Sequence, residues 1–150
     1  MIIEYAKVRG SVKVPTRSNP SDAGLDVYFN PPGKEEAWID PGFSSRLQTG
    51  LRFGVPHGYM LQVMNRSSIA AKRDLVVGAH VVDSGYDGEV FIDLHNIGNM
   101  AQIIEPGDKI AQVVLIPVVH FRTVESEDLY DKHPITISNR GSGALGSTGK

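Results

Sequence analysis

The sequence predicts an all-β fold, arranged as a sandwich or a barrel. Most of its apolar residues fall in short runs that alternate with polar residues, as they do in strands that bury one face. Clusters of Gly, Pro, Asn and Asp separate these runs roughly every ten residues, the spacing typical of all-β domains. With 150 residues, 41% of them hydrophobic, the chain suits a globular domain with an ordinary core.

Six runs carry the strand pattern and one stretch carries a helix signal. The strand runs are "IIEYAKV" (2–8), "LDVYF" (25–29), "RLQTGLRFGV" (46–55), "YMLQVMN" (59–65), "EVFIDLHN" (89–96) and "KIAQVVLIPVVHF" (109–121). Within the last run, "VVLIPVV" (113–119) is typical of a strand buried on both faces, with Pro117 at an edge or a bend. "SSIAAKR" (67–73) predicts one or two helical turns, with Ser67 as N-cap and two cations near the C-terminal end.

The composition excludes several classes of function. The formal net charge of -2 and the pI near 6.2 argue against direct nucleic-acid binding. The chain has no cysteine, which excludes disulfides, a thiolate nucleophile and a Cys-based zinc site. The histidines lack zinc-site spacing, and we expect Trp38 to be a packing residue.

We expect a soluble, intracellular protein of the cytoplasm with no membrane partner. The N-terminal residues "MIIEYAKVRG" contain Glu4 and Lys7, so they lack the uninterrupted apolar segment of a signal peptide. No later apolar run approaches the length of a membrane span.

The C-terminal part of the chain differs in composition from the rest. Residues 125–140 are polar and predict a linker, and "RGSGALGSTGK" (140–150) is rich in Gly, Ser and Thr. We therefore expect a β-rich core over 1–124 and a linker with a mobile C-terminal arm over 125–150.

The glycine-rich ending has two interpretations. It is either a solvated tail or a cover whose amides, hydroxyls and cations close over phosphates, with Arg140 offering a bidentate fork. A P-loop is excluded, because Ala144 stands where its first glycine would lie.

Four internal stretches contain candidate functional residues, and each also has a purely structural interpretation. In "NRSSIAAKR", Arg66 and two serines open the predicted helix, which indicates an anion site or an ordinary capped turn. In "GAHVVDSGYDGEVFIDLHN", the pattern predicts a β-hairpin with Asp83 at its rim, where the carboxylate activates a water or only forms the turn. Tyr86 in the same turn is suited to stacking on a sugar or a base.

Two polar side chains interrupt apolar strands. Gln112 lies in the run 109–121 and Asp26 in the run 25–29. Each is either a solvent-facing alternate residue or a functional group, an amide with a partner for Gln112 and a metal- or water-holding carboxylate for Asp26.

In order along the chain, these five stretches resemble the five motifs of the trimeric dUTPase family. "AGLDVY" resembles the first motif, "NRSSIA" the second, "VVDSGYDGEV" the third, "GDKIAQVVL" the fourth and "RGSGALGSTG" the fifth. The resemblance implies a β-jelly roll with one short helix, in a homotrimer whose active sites combine three chains. It also implies magnesium-dependent hydrolysis of dUTP to dUMP and diphosphate, which limits uracil incorporation into DNA and supplies dUMP for thymidylate synthesis.

The same resemblance implies a role for each matching residue. Asp83 would be the general base, Tyr86 would pack on the deoxyribose and exclude a 2'-hydroxyl, and Asp26 would touch hydrated Mg²⁺. The remaining residues would bind substrate. The uracil edge would be bound by Gly78, Ala79, His80 and Val82, and the triphosphate by Arg66, Ser67, Ser68 and Gln112. The closing arm would contribute Arg140, Leu145, Ser147 and Thr148.

This sequence departs from the family pattern at three positions. Leu145 stands where the family usually has an aromatic that stacks on uracil, and Leu supplies no π-face. Asn65 stands in place of a common Pro, and Val77 in place of an Asn that is frequent in bacterial members.

A rival resemblance is to dCTP deaminases, which share the fold. "RSSIA" and "GAHVVDSGY" match them equally, and Asp93 lies where deaminases place a catalytic Glu. Against this, Asp is one methylene shorter than Glu, Ala71 stands where deaminases have Arg, and the ending resembles dUTPases. The sequence is also compatible with a bifunctional deaminase–diphosphatase and with a non-catalytic nucleotide-binding jelly roll, and the last would need neither Arg140 nor Asp83.

Overall fold

The computed structural model describes residues 1–146 and 149, and confirms the all-β prediction. These residues form eleven strands and two short helices. In chain order the elements are β1 (Tyr5–Lys7), β2 (Leu25–Tyr28), β3 (Ala37–Ile39), β4 (Ser44–Gln48), β5 (Leu51–Phe53), β6 (Tyr59–Met64), α1 (Ser67–Arg73), β7 (Leu75–Val77), β8 (Val81–Val82), β9 (Phe91–Asn96), β10 (Gln102–Ile104), β11 (Lys109–Pro117) and α2 (Leu129–Lys132).

Two antiparallel sheets enclose the core. One has the strand order β2-β11-β6-β8 and the other β4-β9-β7, while β1 pairs with β5 and β3 with β10. Apolar residues from both larger sheets, among them Val63, Val113, Ile92 and Leu94, are buried in one hydrophobic cluster. This packing of two sheets over one core is the layered arrangement of a β-sandwich.

The long predicted run 46–55 is two strands in the structure, β4 and β5. Gly50 lies between them at φ +70, a conformation that favours glycine. A Cβ at Gly50 would also lie 2.6 Å from Cγ2 of Val12, so the chain turns here only because the side chain is absent.

The helix signal at 67–73 is confirmed in its bounds but not in its cap. Arg66, and not Ser67, occupies the N-cap position, and its side chain makes no capping hydrogen bond. Lys72 and Arg73 lie in the last turn as expected, and Asp74 ends the helix at φ 52. The second helix, α2, is one turn long and was not predicted.

The predicted hairpin at Asp83 is wrong. β8 pairs with β6, whereas β9 pairs with β4 and β7, so residues 83–90 carry the chain from one sheet to the other. A connection of this length can cross the roughly 10 Å between packed sheets, which a two-residue hairpin turn cannot.

The expectation for Trp38 is also wrong. Its side chain is 60% exposed, and Nε1 donates a hydrogen bond of 2.8 Å to Oε1 of Glu36. β3 is a three-residue strand whose neighbouring Ile39 is buried, so alternation turns Trp38 outward.

The chain divides into two compact units, Met1–Val119 and His120–Lys150. The first contains the sheets and α1, and the second contains α2 and the glycine-rich ending. Within the described residues, every helix is too short or too polar to cross a membrane.

Candidate active site

Strand β11 brings three of the candidate stretches together. Gln112 on β11 lies opposite Asp26 on β2 and opposite Met64 on β6. Asn65 and Arg66 follow Met64 directly, at the turn into α1. Residues distant in sequence therefore meet at one position across the sheet.

The carboxylate of Asp26 is held by two cations. Nε of Arg66 donates to Oδ1 at 2.8 Å, and Nζ of Lys109 lies 2.8 Å from Oδ2. Oγ of Ser18 is 3.5 Å from Oδ2. The Asp26 side chain is only 14% exposed, so these ion pairs are less screened than pairs on the open surface.

Opposing effects act on the pKa of Asp26. Burial, the largest single effect, raises this pKa, but Lys109 and Arg66 together outweigh it and hold the pKa below its ordinary value. Asp26 is therefore ionised at neutral pH, and it orients the two cations around it.

The amide of Gln112 ties β11 to the start of the helix. Its Nε2 donates to the carbonyl of Asn65 at 2.9 Å. Gly24 packs against it so closely that a Cβ at this glycine would lie 2.6 Å from Oε1 of Gln112. The sequence left two interpretations of Gln112 open, and the structure supports the strand amide whose hydrogen bond is satisfied by a partner.

Two of the positions that depart from the family pattern are joined by a hydrogen bond. Oδ1 of Asn65 accepts from the backbone N–H of Val77 at 2.7 Å. Val77 itself is buried in the core. Asn65 therefore links the turn before α1 to β7.

Ser67 and Ser68 are exposed in the first turn of α1, next to Arg66.

The stretch Gly78–Val82 crosses between the two sheets. The N–H of Gly78 donates to the carbonyl of Asp93 on β9 at 2.8 Å. Two residues later, the carbonyl of His80 accepts from the N–H of Val63 on β6 at 2.7 Å. Nδ1 of His80 also lies 3.1 Å from the carbonyl of Val63. Ala79 is exposed between these anchors, and Val82 is buried.

Asp93 and His95 form a pair on the outer face of β9. Nε2 of His95 is 2.8 Å from Oδ2 of Asp93. A Cβ at Gly78 would lie 2.2 Å from Nε2 of His95 and 2.6 Å from Oδ2 of Asp93, so the pair packs directly against the Gly78 backbone. Only a glycine at this position allows the approach.

Asp83 and Tyr86 share a tight turn. The N–H of Tyr86 donates to the carbonyl of Asp83 at 3.3 Å, and Gly85 between them has φ +82. Asp83 is exposed. A cleft of about 220 Å³ lies here, lined by Val81, Val82, Asp83, Tyr86, Glu89, Val90 and Phe91.

The Asp83 turn and the Asp26 cluster lie far apart on the four-stranded sheet. Val82 lies opposite Leu61 on β6, whereas Gln112 lies opposite Met64. Three residues of β6 correspond to an offset of about 10 Å along the strand. Because β2 and β8 are the two edges of this sheet, three strand spacings, about 14 Å, also separate them.

Two predicted arm residues lie in the second unit, and two lie outside the described residues. Arg140 is exposed, and its carbonyl accepts from the N–H of Gly143 at 3.0 Å. Leu145 is fully exposed at φ 24. Ser147 and Thr148 lie outside the part of the chain that the structure describes.

Lys109 and Ser18 are members of the Asp26 cluster that the sequence did not indicate. Regular alternation would place Lys109 and Gln112 on opposite faces of β11. The register shifts between Lys109 and Ala111, and Lys109 reaches Asp26 on the face of Gln112. In the sequence, only the position of Lys109 directly after the "PGD" turn could have indicated that this residue departs from regular alternation.

A family model described as dUTPase matches residues 10–149. The chain belongs to the dUTPase family. This match spans all five motifs and both structural units.

Bacterial dUTPases resemble the chain over nearly its full length. The deoxyuridine 5'-triphosphate nucleotidohydrolase of Chlamydia trachomatis serovar L2 is 33% identical over 148 residues, covering 97% of each chain. That of Anaplasma marginale is 36% identical over 138 residues, covering 91% of this chain and 88% of its own.

Phage dUTPases share the jelly-roll fold. The dUTPase of Staphylococcus bacteriophage 80alpha in complex with dUpNHpp superimposes with a TM-score of 0.84 over 99% of both chains, at 21% identity. A single-residue variant of the dUTPase from phage phi11 of S. aureus, which coordinates a structural Mg(II) ion, superimposes with a TM-score of 0.75 over 85% of this chain and 97% of its own, at 21% identity.

The side chains of this dUTPase fit a magnesium ion that is held mainly by waters and substrate phosphates. No group of three or more His, Asp or Glu side chains within residues 1–146 and 149 is arranged to hold a metal by itself. Both carboxylate oxygens of Asp26 are already paired with cations. Mg²⁺ usually keeps several waters and takes one or two carboxylates plus substrate phosphates, so a contact between Asp26 and a metal-bound water fits this donor set.

The lowered pKa of Asp26 predicts a loss of stability in acid. A carboxyl whose pKa is lower folded than unfolded stabilises the fold above its unfolded pKa, about 3.8, and loses this contribution as pH falls through the folded pKa. We expect the unfolding free energies of wild type and Asp26→Asn to differ most near neutral pH and to converge below about pH 4.

Urea unfolding followed by circular dichroism, at one protein concentration and several pH values, measures this difference. Asp40→Asn is the matched control, because Asp40 is an exposed aspartate outside the cluster. A difference that stays constant or grows on acidification would contradict the assignment.

Proposed function

We propose that this chain hydrolyses dUTP to dUMP and diphosphate. Membership of the dUTPase family supports the substrate and the reaction. The observation that carries the proposal is the exposed carboxylate of Asp83, held in one tight turn with the ring of Tyr86 at the mouth of a cleft. Such hydrolysis would limit uracil incorporation into DNA and supply dUMP for thymidylate synthesis.

Asp83 is the proposed general base. Its carboxylate accepts a proton from a water whose oxygen attacks the α-phosphorus of dUTP. A bond forms between that oxygen and the α-phosphorus, the bond to the α,β-bridging oxygen breaks, and diphosphate leaves with the bridging oxygen. The exposed position of Asp83 leaves room for both the water and the phosphate.

The neighbouring residues would select the nucleoside. The ring of Tyr86 packs on the deoxyribose and leaves no space for a 2'-hydroxyl, and the backbone of 78–82 reads the uracil edge. Anchors to both sheets, at Gly78 and at His80, support a fixed geometry for this reading surface. No catalytic role is assigned to His80 or Asp93: Nδ1 of His80 lies 3.1 Å from the carbonyl of Val63, and Oδ2 of Asp93 lies 2.8 Å from Nε2 of His95.

The Asp26 cluster would bind the triphosphate. Of the three Arg66 side-chain nitrogens, only Nε contacts Asp26, and the two Nη groups make no hydrogen bond within the described residues. They remain available as a fork for phosphate, together with the exposed hydroxyls of Ser67 and Ser68 and the Gln112 amide. One carboxylate between two cations leaves an excess of positive charge for the substrate.

Asp26 is the proposed contact to magnesium, through metal-bound water. Mg²⁺ bound to the triphosphate would neutralise the charge that develops as diphosphate leaves. Within the protein, Asp26 contributes by keeping its charge and by holding Arg66 and Lys109 in place.

We further propose a homotrimer in which each site combines three chains. The distance between the Asp83 turn and the Asp26 cluster across one sheet supports a site shared between neighbours. The core over 1–124 would supply both parts. The arm over 125–150 would close over a neighbour's site with Arg140, Leu145, Ser147 and Thr148.

Replacing Asp83 with Asn should lower dUTP turnover by about 10²–10⁴-fold and leave folding and nucleotide binding intact, because only the proton acceptor is lost. Chromatographic analysis of products from dUTP, dCTP and dTTP with Mg²⁺ measures this loss and shows which nucleotide is used. Asp87→Asn, an exposed aspartate in the same turn, is the matched control. Near-normal turnover by Asp83→Asn, or release of ammonia from dCTP by wild type, would refute the assignment.

Removing residues 140–150 should preserve the assembly and abolish most activity, because the proposed arm supplies charge to the far end of the triphosphate. Arg140→Ala should lower kcat/KM for dUTP by at least about tenfold, whereas Lys132→Ala, an exposed cation of the same unit, should not. Size-exclusion chromatography and steady-state kinetics provide the readouts. Full activity in the truncated protein would make the ending a solvated tail.

A further inference from the structure

The ring of Tyr86 is held at two points apart from its proposed contact with the sugar. Its hydroxyl donates a hydrogen bond of 2.9 Å to the carbonyl of Glu89. The ring also lies across Gly88, where a Cβ would come within 2.4 Å of Oη and 2.6 Å of Cζ. The φ of Gly88 is not in the left-handed region, so the ring, and not the backbone, requires glycine here.

The carbonyl that holds the Tyr86 hydroxyl belongs to a residue with an anchored side chain. Oε1 of Glu89 accepts from Nη2 of Arg9 at 2.6 Å and from the N–H of Gly50 at 2.7 Å. Both side chains of this ion pair are mostly buried, with 22% of Arg9 and 15% of Glu89 exposed. Nη2 of Arg9 also donates to the carbonyl of Asn30 at 3.0 Å. The Glu89 side chain therefore binds two separate segments directly, at Arg9 and Gly50, and a third, at Asn30, through Arg9.

A second ion pair in the same turn provides a contrast. Nη1 of Arg52 lies 3.0 Å from Oδ1 of Asp87, but 42% of the Arg52 side chain and 88% of the Asp87 side chain are exposed. Exposed pairs of this kind contribute little to local structure. The Glu89 carboxylate thus anchors the turn to the core, whereas the Asp87 carboxylate, two residues earlier, does not.

We propose that Arg9 and Glu89 are positioning residues for Tyr86, and that they set the selectivity for deoxyribonucleotides over ribonucleotides together with the ring contact at Gly88. The inference rests on the proposed function, in which Tyr86 excludes a 2'-hydroxyl. A ring rejects one additional hydroxyl only if it cannot move aside by a fraction of an ångström. The hydroxyl of Tyr86, the Glu89 carbonyl and the mostly buried Arg9–Glu89 pair form a continuous connection that resists such movement.

Three single variants, Glu89→Gln, Gly88→Ala and Asp87→Asn, test this role through the ratio of kcat/KM for dUTP to kcat/KM for UTP. Glu89→Gln removes the charge that holds Arg9 and keeps the size of the side chain. Gly88→Ala displaces the ring directly and leaves the ion pair in place. We expect each to lower the ratio by about tenfold, mainly through faster use of UTP, and Asp87→Asn to keep the wild-type ratio.

The ratio separates positioning from a general loss of structure. Partial unfolding reduces the amount of active enzyme and lowers both kcat/KM values by the same factor, so the ratio stays constant. If Glu89→Gln does not fold, Arg9→Gln takes its place, because it breaks the same ion pair from the other side.

An unchanged ratio in folded Glu89→Gln would overturn the inference, whatever the result for Gly88→Ala, and would leave the proposed function standing. An equal fall in Asp87→Asn would also overturn it, because the effect would then belong to any charge of the turn. A wild-type protein that does not hydrolyse dUTP would instead refute the proposed function, and the inference with it.

Discussion

The pairing of β11 with β2 on one side and β6 on the other is the constraint on which the site depends. This register places Gln112 beside Asp26 and beside the end of β6, from which the chain enters α1. The register shift at Lys109 adds a second cation to the same face. A slip of one residue would turn Gln112 into the core and separate Arg66 from Asp26.

Asp26 is the electrostatic centre of this arrangement. A single, partly buried carboxylate orients two cations that come from separate segments, and its lowered pKa indicates that attraction by the cations exceeds the cost of burial. Preorganised cations bind an anionic substrate without the cost of ordering flexible side chains at the moment of binding. The Arg9–Glu89 pair applies the same principle at the Asp83 turn, where a mostly buried ion pair anchors the residue whose carbonyl binds the Tyr86 hydroxyl.

Much of the fold was predictable because hydrophobic alternation is a local signal. The longer strands, such as β6, β9 and β11, and the bounds of α1 follow from it. Strands of two or three residues, such as β8 and β10, carry too few residues to show a period. The partner of β9 was not predictable either, because the local pattern at Asp83 is the same for a hairpin and for a crossing between sheets.

The candidate site was predictable in its residue types and not in its geometry. Asp26, Gln112, Asp83 and Tyr86 stood out in the sequence because a polar or aromatic residue interrupts an apolar or turn pattern. Lys109 and Glu89 did not stand out, because their roles come from a register shift and a mostly buried ion pair. Asn65 stood out only as a departure from the family motif, and its hydrogen bond to the Val77 backbone was not predictable. Such contacts join segments that are distant in sequence, and no local pattern encodes them.

The most direct test of the shared site is complementation between two inactive variants. Arg66→Ala and Asp83→Asn, each with a different affinity tag, are coexpressed, and the mixed assemblies, which are trimers if the proposed homotrimer holds, are isolated by tandem purification. If the Asp26 cluster and the Asp83 turn meet across two chains, each mixed trimer contains one junction in which both parts are intact, and about one third of wild-type dUTP hydrolysis returns. If mixed trimers are no more active than the single variants, both parts of the site belong to one chain and the shared site is refuted.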